Sequence, residues 1–332
     1  MFETGTATGI ADLLTKLGVF ATTVAGTWVQ DQLDTGGGSF ALHKTGAFGS
    51  IYVSFRWDTA TPQHLSVHQA LGYTGGNQPG NHPNDSGNGY NATSSHVDTN
   101  LALERHVSDL GVGPFPSYHF FEDDHYIHVV VEVATDHFRH FGFGLLNPKI
   151  GDWTGGEYAY GNRMSTGTNH NAISASDYAL LDGIADEADN MATLHVEGLE
   201  GEAGASKWMV VFGNAATSTE TDTAGNARER GQGGFRGGPA AIEMGNFNGD
   251  ALAGNVPMYS IGVWHKDNTL QRVYFLGDMP DVRAINIKHF QPKEEVVIGG
   301  VTWVVFPFAL KTLDNVAGRT YHSGIAYKKV TT

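Results

Sequence analysis

Tyr118-His119-Phe120-Phe121-Glu122-Asp123-Asp124-His125-Tyr126-Ile127-His128-Val129-Val130-Val131-Glu132-Val133-Ala134 is the stretch that decides the fold class. Aromatic and β-branched runs flank an acidic connection, the composition of two extended strands joined as a hairpin. Side chains alternate across a strand, so Ile127, Val129, Val131 and Val133 share one face while Tyr126, His128, Val130 and Glu132 share the other. The spacing predicts a hairpin with one core face. His137 to Leu146 follows as a further strand, in which Gly142 and Gly144 alternate with Phe141, Phe143 and Leu145. Glycines lining one face predict close approach of another backbone or an aromatic lid.

Working outward, the same texture of short β-rich runs and turns recurs at Ser39 to His43, Ser50 to Trp57, Leu65 to Tyr73 and Ser206 to Phe212. Towards the C-terminus, Met258 to His265, Thr269 to Leu276 and Val282 to Ile287 read as a meander, with a turn expected at Gly277-Asp278-Met279-Pro280. Glu294 to Ile298 and Val301 to Phe306 flank Gly299-Gly300, a connection suited to a tight hairpin. Thr320 to Lys329 can supply a closing strand. The clear exception is N-terminal, where Ile10, Leu13, Leu14, Leu17 and Phe20 follow the spacing of one helical face, with Thr6 or Thr8 as N-cap. That stripe must pack on the following domain or on a neighbouring subunit. Helical hints also occur at Ala175 to Ala188. The expected fold is mainly β, an antiparallel sandwich or barrel-like meanders with an N-terminal amphipathic helix and long loops. It divides into a helical segment (1–35), a first β-rich unit (36–162), an irregular insertion (163–240) and a C-terminal meander (241–332).

Composition supports that reading. Glycine makes up 44 of 332 residues, 40% of the chain is apolar and 11% aromatic, so glycine punctuates turns in a chain able to build a core. The glycines fall into two groups: hairpin turns and small faces, and the polar loops 74–95 and 216–238, where they should serve assembly. With no cysteine, disulfides and thiolate chemistry are excluded. A net charge of −15 without a basic cluster argues against nucleic acid and anionic membrane surfaces as partners. No apolar run reaches the roughly 20 residues of a membrane-spanning helix, and the first residues lack the basic start of a signal peptide.

Motifs that carry chemistry fail on spacing. Sixteen histidines include His119, His125, His128, His137 and His140, yet His125 and His128 would point to opposite faces of a strand. These two are the only metal candidates, and only if the turn reorients His125; no metal or other cofactor is expected. Asn246, Asn248 and Asp250 resemble a calcium loop, but its twelfth position is Pro257. No phosphate-binding loop, nucleophile elbow or HExxH helix is present, and Asp123-Asp124 and Glu294-Glu295 are adjacent carboxylates that diverge in extended chain. No catalytic residue is predicted.

Five blocks, in order, resemble a family of tailed-bacteriophage virion structural proteins. They are Gly5-Thr6-Ala7-Thr8-Gly9-Ile10-Ala11-Asp12-Leu13-Leu14; Gly72-Tyr73 with Asn77-Gln78-Pro79-Gly80; the Tyr118-His119-Phe120-Phe121 hairpin; Phe141-Gly142-Phe143-Gly144 with Asn147-Pro148; and Glu294 to Gly300 before Thr302-Trp303-Val304-Val305-Phe306. The acidic hairpin connection departs from that family's small turn followed by basic residues, and residues 163–240 match poorly. The resemblance implies a non-enzymatic tail subunit at the baseplate, tail tip or neck, located in the virion and assembled with copies of itself and other tail proteins. Candidate interface residues are Ile10, Leu13, Leu14 and Leu17 on the helix, Asn77, Pro79 and Tyr90 in one long loop, Asp123 and Asp124 at the hairpin, and Phe235 and Arg236 in the other loop. Alternatives are a module binding host-surface glycan through Tyr73, Tyr90, Tyr158 and Tyr160, a head-associated protein, and an envelope-degrading enzyme.

Overall fold

The computed structural model describes residues 1–46, 49–57, 59, 64–76, 99–102, 113–146, 153–161, 192–197, 207–212, 220–221, 227–228, 230–233, 258–267, 272–307, 313–316, 319–321 and 323–330. The expected helix at 175–188 lies outside them, as do Asn77, Pro79, Tyr90, Phe235 and Arg236.

The chain opens with β1 (Phe2–Ala7), α1 (Ile10–Val19) and a π-helical turn (Phe20–Val24). A five-stranded sheet follows, built from β2 (Val29–Asp34), β3 (Ser39–Gly46), β4 (Gly49–Trp57), β5 (His64–Ala70) and β6 (Thr99–Ala102) in sequence order. The next strands are β7 (Phe115–Asp123), β8 (Tyr126–Ala134), β9 (His137–Leu145), β10 (Thr154–Gly161), β11 (Ala192–Glu197), β12 (Lys207–Phe212), β13 (Glu220–Thr221), β14 (Ala227–Arg228) and β15 (Arg230–Gly233). The last are β16 (Met258–Asp267), β17 (Arg272–Asn286), β18 (Glu294–Ile298), β19 (Val301–Pro307), β20 (Leu313–Val316), β21 (Arg319–Tyr321) and β22 (Ser323–Lys328). Thirteen strands join into one sheet in the order β1-β7-β8-β9-β10-β11-β12-β15-β16-β17-β22-β19-β18, while β13-β14 and β20-β21 form small pairs. Pairing is antiparallel except between β12 and β15. The fold is mainly β, as the alternation predicts, and the large sheet stays open, ending at β1 and β18. It draws strands from each of the four sequence segments.

The large sheet packs against itself. Its β7–β10 part carries Tyr118, Phe120, Ile127, Val129, Val131, Val133, Phe141, Phe143 and Ala159 on one face, buried with the α1 stripe and with Phe40, Leu42, Val53 and Phe55 of the five-stranded sheet. The opposite face meets β17, β19 and β22, where Phe306 and Tyr327 lie against Phe121. The expectation of a single core face is therefore corrected. Eight of the nine β8 residues are buried because the strand lies in the middle of three layers. The helix stripe is likewise settled: Ile10, Leu13, Leu14 and Leu17 are buried in this chain's own core and are not open to a neighbour.

Three local expectations need revision. Gly9 occupies the helix N-cap position without a side-chain cap; Asp12 instead accepts from the Thr8 N–H at 2.8 Å and from Lys16 at 2.8 Å. The expected Gly277–Pro280 turn lies within the 15-residue strand β17, whose pairing with β16 shifts register twice. Glycine and proline are accommodated there by irregular pairing, as bulges permit. The hairpin acid run is mostly strand: β7 extends to Asp123 and only Asp124 and His125 form the turn.

Candidate functional site

The concentration of polar side chains that most invites a functional reading lies in the seam between β7–β10 and the C-terminal strands. Register places His119 and Phe121, then Tyr126, His128, Val130 and Glu132, then Phe138, His140, Gly142 and Gly144, then Tyr158 and Tyr160, on one face. Gly142 is a flat seat for rings, whereas Gly144 lies against the backbone of His125 and Tyr126. A Cβ at Gly142 would lie 2.5 Å from His128 Nδ1 and 2.6 Å from Tyr160 Cε1, and one at Gly144 would lie 2.6 Å from Tyr126 Cβ. Of the two expected alternatives, rings of the neighbouring strands cover Gly142, and close approach of another backbone occurs at Gly144, where a Cβ would lie 2.4 Å from the His125 carbonyl oxygen.

His128 Nε2 lies 2.9 Å from the Pro280 carbonyl and its Nδ1 2.9 Å from the Tyr160 hydroxyl. His140 is a near copy, with Nε2 3.0 Å from the Pro307 carbonyl and Nδ1 2.9 Å from the Tyr327 hydroxyl. A carbonyl only accepts, so each Nε2 carries a proton, and in the neutral ring each Nδ1 accepts from its tyrosine. Both hydroxyl protons are then committed, and the 3.4 Å approach of Tyr160 to Tyr327 carries none. Burial pushes His128 down to about 4 despite the opposing pull of the Pro280 carbonyl and Asp281, so it is neutral at pH 7. Burial also pushes the Tyr158, Tyr160 and Tyr327 hydroxyls upward. The seam continues through Tyr126, which donates to Asp281 at 2.8 Å, and Lys328, which donates to the same carboxylate at 3.0 Å. Among the described residues of the seam, two polar side chains have no hydrogen-bond partner: the Tyr158 hydroxyl, and His119, whose two ring nitrogens are both unbonded between Phe2 and Phe306.

Chemically, this arrangement joins layers. His128 and His140 use both ring nitrogens, and these rings are buried from solvent. His128 consequently has no lone pair left for a metal, and His125, in the turn, is half-buried. Among the described residues, no group of three or more His, Asp or Glu side chains is arranged to hold a metal ion. No helix among them is long and apolar enough to cross a membrane.

A second polar contact ties the five-stranded sheet to β7. Buried Lys44 donates to Thr27 at 3.0 Å and to buried Glu122 at 3.4 Å, and Thr27 donates to Glu122 at 2.9 Å. Glu122, adjacent to the predicted interface pair, is therefore internal. Asp123 is half-buried with Lys328 at 3.5 Å, whereas Asp124 is exposed.

Of the four tyrosines considered for glycan stacking, Tyr158 and Tyr160 are buried in the seam and Tyr73 is half-buried, donating to Gln32 at 3.0 Å; Tyr90 lies outside the described residues. Trp28, Trp57 and Trp153 are core residues. Among the described residues, the large apolar side chains that are exposed are Val19, Val24 and Val29 near the end of the helix, and Val297 and Ile298 on β18. None of these five belongs to the expected interface set. Local pattern does not single out the β18 pair: Glu-Glu-Val-Val-Ile lacks the alternation of a half-buried strand, and a short apolar run of that kind fits a buried strand as well as an exposed edge. No described protein family matches this chain, and no curated protein is significantly similar to it.

Proposed function

We propose that this chain is a structural subunit of a tailed-phage virion, in the tail at the baseplate, tip or neck, and that it works through subunit interfaces without catalysis. The reading starts from the five ordered sequence blocks. The observation that carries it is the placement of exposed apolar side chains beside β2 and along β18, both outer strands of their sheets. Uncovered strand edges bearing apolar groups favour association, while the interlocked histidines and tyrosines hold a three-layer body rigid enough to present them. Its partners are copies of itself and other tail proteins. Mass spectrometry of purified particles tests the proposal, together with sedimentation of the isolated chain. Detection at stoichiometric level in particles is expected; absence from particles and a strictly monomeric chain would defeat it.

A further inference from the structure

We infer that β18 is a self-pairing edge, along which two copies of this chain join antiparallel with Val296 facing Val296 of the second copy. This deepens the subunit reading by naming a partner and a register.

The backbone gives the first reason. Gly299 and Gly300 adopt left-handed φ values of 60° and 81°, forming a two-residue turn between β18 and β19. Such a turn is flanked by a hydrogen-bonded pair, here Ile298 and Val301, and bonded pairs alternate along an antiparallel ladder. Val296 and Glu294 therefore also bond to β19. The Lys329 N–H donating to the Thr302 carbonyl at 2.8 Å agrees, since it places Thr302 among the residues bonded on the opposite side of β19. The N–H and C=O groups of Glu295 and Val297 consequently point out from the sheet edge.

The second reason is the contrast with two of the other outer strands, β1 and β2; the four-residue outer strand β6 also pairs without a shift. β1 and β2 both shift register against their neighbours, at Gly5/Ala7 and Gln30/Gln32, whereas β18 runs without a shift from Glu294 to Ile298. Bulges of that kind discourage edge-to-edge pairing, and β18 lacks one along its paired length. Its side chains add to this. Val297 is 67% exposed and Ile298 43%, while Val296 and Val301 sit at the rim of an apolar cluster formed by Ile285, Ile287, Trp303, Val305 and Ala326. The cluster runs out at the edge strand, and a second β18 would continue it.

Charge selects the orientation. In an acidic chain, pairing must keep carboxylates apart. Antiparallel pairing centred on Val296 sets Glu295 opposite Val297 of the second copy, and Glu294 opposite its Ile298. Parallel pairing would set each glutamate against its own equivalent, which is unfavourable. The resulting contact is two-fold symmetric, each copy offering the same strand. One five-residue strand is small beside the roughly 1,600 Å² of a standard interface, so the contact is weak alone and gains from repetition within an assembly.

The full chain has no cysteine, which makes disulfide trapping clean. Facing positions in a non-hydrogen-bonded pair are about 4.5 Å apart at Cα, within disulfide reach. Val296→Cys should cross-link into a dimer under mild oxidation about tenfold faster than Ile298→Cys, whose copies are offset in this register. Glu295 is already paired with Lys329 at 2.7 Å, so adding Val297→Glu to Val296→Cys sets a second acid beside that pair in the other copy and should slow trapping about threefold, while Val297→Lys should preserve it. Both changes are at an exposed position, and circular dichroism checks that the fold is retained. No trapping, equal trapping at positions 296 and 298, or equal effects of Glu and Lys would overturn the inference. Particles that contain the chain while trapping fails would sink the edge pairing and leave the subunit reading standing.

Discussion

Replacing His119 by Phe should make the protein more resistant to acid, because burial holds this histidine neutral. His119 is buried, its ring nitrogens are unbonded, and Phe306 lies 4.9 Å from it, centroid to centroid. Burial, with a further push from Lys293 and a smaller opposing pull from Glu132, lowers it from 6.5 to about 4. The unfolded chain then binds a proton between about pH 6.5 and pH 4 that the folded chain refuses, so stability falls as pH drops through that window and is unaffected by this group above it. At pH 5 an ordinary imidazole is about 97% protonated and one with a pKa near 4 only about 10%, which corresponds to ~2 kcal/mol of lost stability. Phenylalanine cannot titrate. At pH 7.5 two effects of the substitution oppose each other: relief of unpaired buried nitrogens, worth about 1–3 kcal/mol, and a bulkier ring in a packed site, costing a similar amount. The packing effect cancels when the same pair of proteins is compared at two pH values. Urea unfolding of wild type and His119→Phe at pH 7.5 and pH 5 should therefore show the variant gaining about 2 kcal/mol relative to wild type on acidification. An unchanged difference between the two proteins would refute the burial account of this histidine.

Other perturbations probe the same three-layer body. Gly142→Ala drives a methyl group into His128 and Tyr160 and should cost about 2–3 kcal/mol in urea unfolding, whereas Gly300→Asn, at a left-handed position with open space around it, should cost well under about 1 kcal/mol. Phe306→Ala removes the ring shared by His119, Phe121, Phe138 and Tyr327 and should cost about 3–5 kcal/mol, with loss of near-ultraviolet dichroism as the layers loosen. Lys44→Met leaves Glu122 short of a buried partner and should cost about 3 kcal/mol, much of it recovered in the double variant with Glu122→Gln; a double variant as unstable as the single would show that packing, and not charge, explains the loss.

Sequence alone determined the elements whose signal is local. Alternation marked β3, β4, β7, β8 and β9, the Gly299-Gly300 pair marked the β18–β19 hairpin, and helical spacing marked α1, because side-chain period and turn chemistry depend only on near neighbours. Alternation also put His128, Tyr126 and Glu132 on one face, without saying what would cover that face. β1 and β2 escaped because Phe-Glu-Thr-Gly-Thr-Ala and Val-Gln-Asp-Gln-Leu-Asp carry little apolar alternation and are strands through their partners β7 and β3. Tertiary structure decided the rest. It folded the C-terminal strands of the sheet over its N-terminal strands, brought Pro280 and Pro307 carbonyls to histidines more than 150 residues away, and turned a supposed half-exposed hairpin into the middle layer. It also decided between the two partners open to the helix stripe, placing its leucines inside this chain, and left the acidic strand Glu294–Ile298 at the open edge. The physical reason is that burial on the second face of a strand, and exposure at a sheet edge, are properties of what packs alongside, which no local pattern encodes.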